Sequence, residues 1–292
     1  MSRSLSRSSI PFAKLLKLSR PRFWIYVLGP YLVGLAAGAA ALNDFNQWPV
    51  ILFGLFFTFP ANLLIYGVND IFDYETDKNN IKKTDYESLV TPAERPALWK
   101  IIALATLPFL IVLPVVAPAA LAALAAFLFF SIYYSAPPLR AKAKPMLDSA
   151  FNVLYIFPGV FAYYLSGGRD LSVQLVIAAW CWAMAMHAYS AVPDISADRD
   201  SNLKTVATLF GFRGTLLLCL LLYAASAILS FDALGVLSVI LGTAYVALML
   251  YSMTRRSEAE LLRVYKIFPP INTISGGALF FAVFLSKFFQ SL

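Results

Sequence analysis

Asp70, Asp73 and Asp77 recur at three- and four-residue intervals within Gly67-Val68-Asn69-Asp70-Ile71-Phe72-Asp73-Tyr74-Glu75-Thr76-Asp77. At about 100° per helical residue, these carboxylates fall within about 60° of one another on one face. A second cluster comprises Asp194, Asp198 and Asp200, its first pair at the i, i+4 spacing that also shares a face. Carboxylates held this close repel one another unless a cation neutralises them. Hard oxygen ligands of this kind suit Mg²⁺, which commonly bridges carboxylates to a substrate's phosphates. Lysines and arginines flank both clusters and would meet the remaining phosphate oxygens. Mg²⁺ with a diphosphate is the simplest chemistry the two clusters support.

The elements that position them are apolar. Of 292 residues, 60% are hydrophobic and 13% charged, with a mean hydropathy of +0.72; a soluble globule carries about 25% charged residues. The composition predicts an all-α polytopic membrane protein, a single integral membrane domain over 1–292 with a basic N-terminal segment over 1–22. The net charge of +7 does not indicate nucleic acid, since aromatic-basic interleaving on a soluble fold is missing. Cys181 and Cys219 lie in apolar runs and make neither a disulfide framework nor a zinc site.

Nine spans are expected. The run 23–41 has the roughly 20 residues a bilayer requires, too long for a signal-peptide core. Span two covers 48–68, opening on Trp48 as an interfacial aromatic. The 38 apolar residues of 98–135 form a hairpin of spans three and four, broken at Pro114 and Pro118. Span five is 148–166, with a kink expected at Pro158-Gly159. Spans six to nine are 171–190, 214–230, 233–252 and 268–286, seven and eight meeting at Phe231-Asp232. Of the 23 Lys and Arg, 21 then fall on the side of the N-terminus, against Arg169 and Lys287 opposite. That asymmetry places the N-terminus and both Asp loops in the cytoplasm, at the cell membrane. Each Asp loop follows the second span of a four-span block, which suggests a duplicated unit without any residue-level repeat.

A diphosphate that needs a greasy enclosure is an isoprenyl diphosphate, because its tail is hydrocarbon and its ionisation gives a carbocation that water quenches. Asn69-Asp70-x-x-Asp73-x-x-x-Asp77 after span two and Asp194-x-x-x-Asp198 after span six resemble the paired Asp motifs of UbiA-type intramembrane prenyltransferases. The resemblance implies helices around a central cavity open toward lipid, with Asn69, Asp70, Asp73, Asp77, Asp194 and Asp198 holding diphosphate through Mg²⁺. It also implies basic diphosphate contacts at Lys82, Lys83, Arg140, Lys142 and Lys204. Ile81 departs from the pattern, which carries proline there. Within the family, Ser19-Arg-Pro-Arg-Phe-Trp24, Tyr134-Ser-Ala-Pro-Pro-Leu-Arg140, Lys144-Pro-Met-Leu-Asp148-Ser and Met186-His-Ala-Tyr-Ser-Ala-Val-Pro-Asp194 are similar to carotenoid prenyltransferases of the lycopene elongase type. The implied partners are dimethylallyl diphosphate as donor, lycopene or a related C40 carotenoid as acceptor, and membrane lipid. The implied product either loses a proton or gains water.

Tyr66, Tyr134, Tyr155, His187 and Tyr189 are candidates to line the cavity, although aromatic residues of a span ordinarily pack or sit at the interface. A lone histidine such as His187 is ordinarily a packed, hydrogen-bonded residue. Asp148 has the position of an N-cap for span five, and Asp200 that of a solvated acid. An aromatic acceptor, as in quinone biosynthesis, is the alternative within the enzyme class. An ion-coupled transporter fits less well, because its ionisable groups belong near the midplane and here they sit at span ends.

Overall fold

The computed structural model describes residues 10–74, 88–110, 114 and 116–289, and within these all regular structure is helical. In chain order the helices are α1 (Phe12–Leu18), α2 (Ile25–Gly38), α3 (Trp48–Phe56), α4 (Phe59–Phe72), α5 (Arg95–Leu110), α6 (Pro118–Tyr133), α7 (Leu147–Ala150), α8 (Phe157–Leu165), α9 (Val173–Ala191), α10 (Ile195–Asp200), α11 (Val206–Leu234), α12 (Val236–Met253), α13 (Glu258–Tyr265) and α14 (Phe268–Phe288). Helix lies within each expected span, but among the described residues only five continuous runs, not nine, are by length and composition long and apolar enough to cross a membrane.

Three boundaries differ from expectation. Span five bends before Pro158: a 3₁₀ stretch over Phe151–Tyr155 separates α7 from α8, and Pro158 sits in the first turn of α8. Proline lacks an N–H and crowds the residue before it, so it starts a helix more readily than it continues one. Span seven runs past Phe231-Asp232 to Leu234, where Gly235 at φ +54° makes the turn into α12. Its helix also begins earlier, at Val206, with a break at Gly211 at φ +67°.

Two packing cores divide the molecule. The first joins α2, α3, α4, α5, α6 and α8 around Phe53, Phe56, Phe57, Phe127 and Phe161, with Phe53 and Phe161 centred 4.5 Å apart. The second joins α9, α11, α12, α13 and α14 around Tyr189, Tyr223, Tyr245 and Phe268. The division therefore falls after span five rather than after span four, because α8 packs on α2 and α6. Glycine makes that packing possible: a Cβ on Gly34 would lie 2.0 Å from the Gly159 carbonyl oxygen. Small residues let membrane helices approach this closely, with dispersion contacts replacing a hydrophobic driving force that lipid does not supply.

The last helix closes the bundle against the first, α14 on α2. At that seam Asn272 Nδ2 donates to the Tyr26 hydroxyl at 3.1 Å, and the Tyr245 hydroxyl donates to Asn272 Oδ1 at 2.9 Å. Each polar group buried there has a partner, as an apolar surrounding requires.

Candidate active site

The first Asp motif occupies a helix end. Asn69 and Asp70 lie in the last turn of α4 and Asp73 is its C-terminal cap residue, so the helical face expected to carry three carboxylates ends after Asp70. Asp77, Lys82 and Lys83 lie outside the described residues. Unpaired carbonyls give a helix C-terminus partial negative charge, an unfavourable place for buried carboxylates. The chain supplies cations in compensation. Arg20 Nη2 donates to Asp70 Oδ1 at 3.0 Å, and its guanidinium lies 4.7 Å from the centre of the Tyr66 ring. Lys142 pairs with Asp73, and its Nζ donates to Asn69 Oδ1 at 3.1 Å. Ser135 Oγ donates to the same Asn69 oxygen at 2.9 Å.

Backbone geometry aims both cations. Arg20 has the left-handed φ of +50° between α1 and a 3₁₀ turn over Pro21–Phe23. Lys142 follows Arg140 at φ +42° in the basic loop, and its amide donates to the Tyr134 carbonyl at 3.0 Å. Lysine is seldom buried without a charged partner, and Lys142 is buried against Asp73.

The second motif is built differently. Asp194 is exposed at the end of a 3₁₀ turn that terminates α9, and Asp198 lies on the short helix α10 beyond the span. Thr205, the N-cap of α11, donates its hydroxyl to Asp198 Oδ2 at 3.3 Å. Among the described residues no Lys or Arg pairs with either carboxylate. Burial, and then the charge of Asp194, pushes the Asp198 carboxyl up to about 6. Asp200 is exposed.

Several phenols lie near the motifs. Tyr134, in T-shaped contact with His187 at 6.0 Å between ring centres, is close enough to feel the charges of Asp148, Asp73 and Asp198. On the other side the Tyr66 and Tyr155 hydroxyls are 3.1 Å apart, and Tyr155 meets Tyr26 edge-on at 6.4 Å. Tyr265 in turn senses Tyr26 and Asp194. Tyr134 thus lies within electrostatic reach of a residue from each Asp motif, Asp73 and Asp198.

Other sequence candidates lie elsewhere. Tyr189 is wholly buried in the second core, its hydroxyl 2.8 Å from Ser252 Oγ. Arg140 and Lys204 are exposed. Asp148 does not cap its own span; its Oδ2 accepts from the Val206 amide at 2.7 Å and so caps α11. Sequence reasoning gave Arg20 and Ser135 no role, although both lie in the segments that carry the family resemblance.

A profile of the UbiA prenyltransferase family matches residues 27–268. The chain belongs to that family. This prenyltransferase is 39% identical over 267 residues, 89% of its length and 84% of the relative's, to lycopene elongase/hydratase of Haloferax volcanii. It is 37% identical over 268 residues to that of Halobacterium salinarum, covering 91% and 94% of the two chains. Its fold matches a UbiA homologue from Archaeoglobus fulgidus solved with DMAPP and Mg²⁺, with TM-score 0.67 at 22% identity over 93% of this chain and 99% of that one.

The donor set of the prenyltransferase fits Mg²⁺. It offers hard oxygens alone, and at the first motif Arg20 and Lys142 supply the positive charge the carboxylates demand. Among the described residues no three acidic, histidine or cysteine side chains converge on one point, so a cation would need phosphate oxygens to complete its shell.

Proposed function

We propose that this prenyltransferase transfers a C5 unit from dimethylallyl diphosphate to the acyclic end of lycopene or a related C40 carotenoid. The observation that carries the reading is the similarity to lycopene elongase/hydratases along nearly the whole chain, joined to the two Asp motifs. We assign Asn69, Asp70, Asp73, Asp77, Asp194 and Asp198 to Mg²⁺ and diphosphate, with Lys82, Lys83, Arg140, Lys142 and Lys204 as diphosphate contacts. Mg²⁺ bound there would neutralise charge developing on the leaving diphosphate.

The chain's own residues do the rest. Arg20 and Lys142 hold the carboxylates of the first motif apart from one another and pre-aim them. The faces of Tyr66, Tyr134 and Tyr155 offer electron density to an allylic cation and exclude water from it. The terminal double bond of the carotenoid attacks that C5 cation, and the tertiary cation so formed loses a proton or captures water. The site opens to the cytoplasmic face of the cell membrane, as the charge asymmetry implies, and the acceptor enters from lipid.

The test is mass spectrometry of carotenoids from lycopene-accumulating cells expressing this chain, beside an Asp73→Ala control. A gain of one or two C5 units absent in the control supports the reading, and added mass of water identifies hydration. Unchanged lycopene with the protein in the membrane and donor present would overturn the carotenoid acceptor and turn attention to an aromatic one.

A further inference from the structure

Asp148 is unlike the other acids of the site. It is wholly buried, one oxygen caps α11 through the Val206 amide, and the other has no hydrogen-bond partner among the described residues. A cap alone explains one oxygen. It leaves Oδ1 removed from water without a partner, a costly arrangement for a charged side chain. The only histidine of the chain stands beside its capping oxygen, His187 Nε2 lying 3.8 Å from Asp148 Oδ2. That is an ion-pair distance rather than a hydrogen bond. The imidazole is only slightly accessible, at 18%, and its ring abuts Tyr134, which feels Asp73 and Asp198 from the two Asp motifs. His187 therefore stands against Tyr134, a residue assigned above to face the allylic cation, with a carboxylate beside it.

We propose that His187 is the proton acceptor that ends the reaction, and that Asp148 is its positioning residue. The inference rests on the carotenoid reading above. Attack by the acceptor's double bond on the C5 cation forms the new C–C bond and leaves a tertiary cation. The electron pair of an adjacent C–H bond then becomes the new double bond, and the proton passes to Nδ1 of His187, Nε2–H being directed at Asp148. Where water instead adds to the cation, its oxygen supplies the electron pair and the O–H proton goes to the same nitrogen. In both cases the imidazolium faces the Asp148 carboxylate, and the proton leaves to solvent before the next turnover. A histidine backed by a buried carboxylate is a familiar way of fixing the tautomer and stabilising the charged ring. The diphosphate-binding carboxylates are spared this duty.

The test uses the full chain in membrane vesicles with dimethylallyl diphosphate, Mg²⁺ and lycopene, measuring diphosphate release and prenylated carotenoid in the same samples. In His187→Gln the tertiary cation lacks its base, so the new C–C bond breaks again, the double bond re-forms and water captures the released C5 cation; diphosphate release should continue while carotenoid product falls at least tenfold and the free prenyl alcohol appears. Asp148→Asn, which retains an acceptor for the Val206 amide, should lower the product-to-diphosphate ratio less steeply than His187→Gln. An unchanged ratio in His187→Gln would overturn the proposal. So would parallel loss of both readouts in the two variants, which would make the pair a structural support. Failure of the unaltered chain to prenylate lycopene while it releases diphosphate would instead overturn the acceptor assigned above.

Discussion

The two Asp motifs meet their charge in opposite ways. At the first, Asp70 and Asp73 sit on the negative end of α4 and are held by Arg20 and Lys142. At the second, Asp194 and Asp198 have no basic partner among the described residues, and burial, then the charge of Asp194, pushes Asp198 up to about 6. A carboxylate with a built-in counter-ion is pre-organised before substrate arrives. A carboxylate without one gains its full stabilisation only when an external cation binds. The first motif thus carries counter-ions from within the chain, whereas the second takes none from the described residues.

The comparison can be broken at several levels. The largest effect is expected from Asp198→Ala or Asp194→Ala, which should cut turnover by on the order of 10³-fold, the scale on which pre-organised electrostatic groups act. The protein should remain membrane-inserted, and turnover with a range of Mg²⁺ concentrations checks it. Lys142→Ala comes next, leaving both Asp73 and Asn69 short of a donor; a loss of about 10 to 100-fold is expected, without the steep Mg²⁺ dependence of the second-motif variants. Arg20→Lys keeps the charge but loses the planar stacking on Tyr66, and should cost about tenfold in turnover. The smallest effect belongs to Tyr66→Phe, which removes only the hydroxyl contact with Tyr155, worth about 1 kcal/mol. Thermal melting in detergent and steady-state rates would both register it as a shift of a few fold or a few degrees at most.

Much of this arrangement is legible in the chain itself. The hydrophobic runs place helix at every expected span, because a bilayer leaves the backbone little alternative to helix. The Asp spacing singles out the acids assigned above to metal and diphosphate, because few other contexts justify clustered carboxylates at span ends. What spacing could not supply is where a helix stops. Asp73 was expected on the face of a continuing helix and is instead the cap of α4, and Pro158 was expected to kink a helix that it in fact begins. Nor could spacing reveal contacts made across the fold. Arg20 reaches Asp70 across 50 residues and Asp148 caps a helix 58 residues away, and both look locally like a topology determinant and a cap for the adjacent span. The division of the packing cores after span five depended on the α2 and α8 backbones touching at Gly34 and Gly159, a matter of two missing side chains rather than of any pattern.

The central claim is that the two motifs hold one diphosphate between them. Calorimetric titration of the purified chain with dimethylallyl diphosphate, in the presence and absence of Mg²⁺, tests it most directly when repeated on Asp73→Ala and Asp198→Ala. The account predicts Mg²⁺-dependent binding in the unaltered chain and its loss in both variants. Binding of unchanged affinity in either variant would contradict it, since one motif would then suffice.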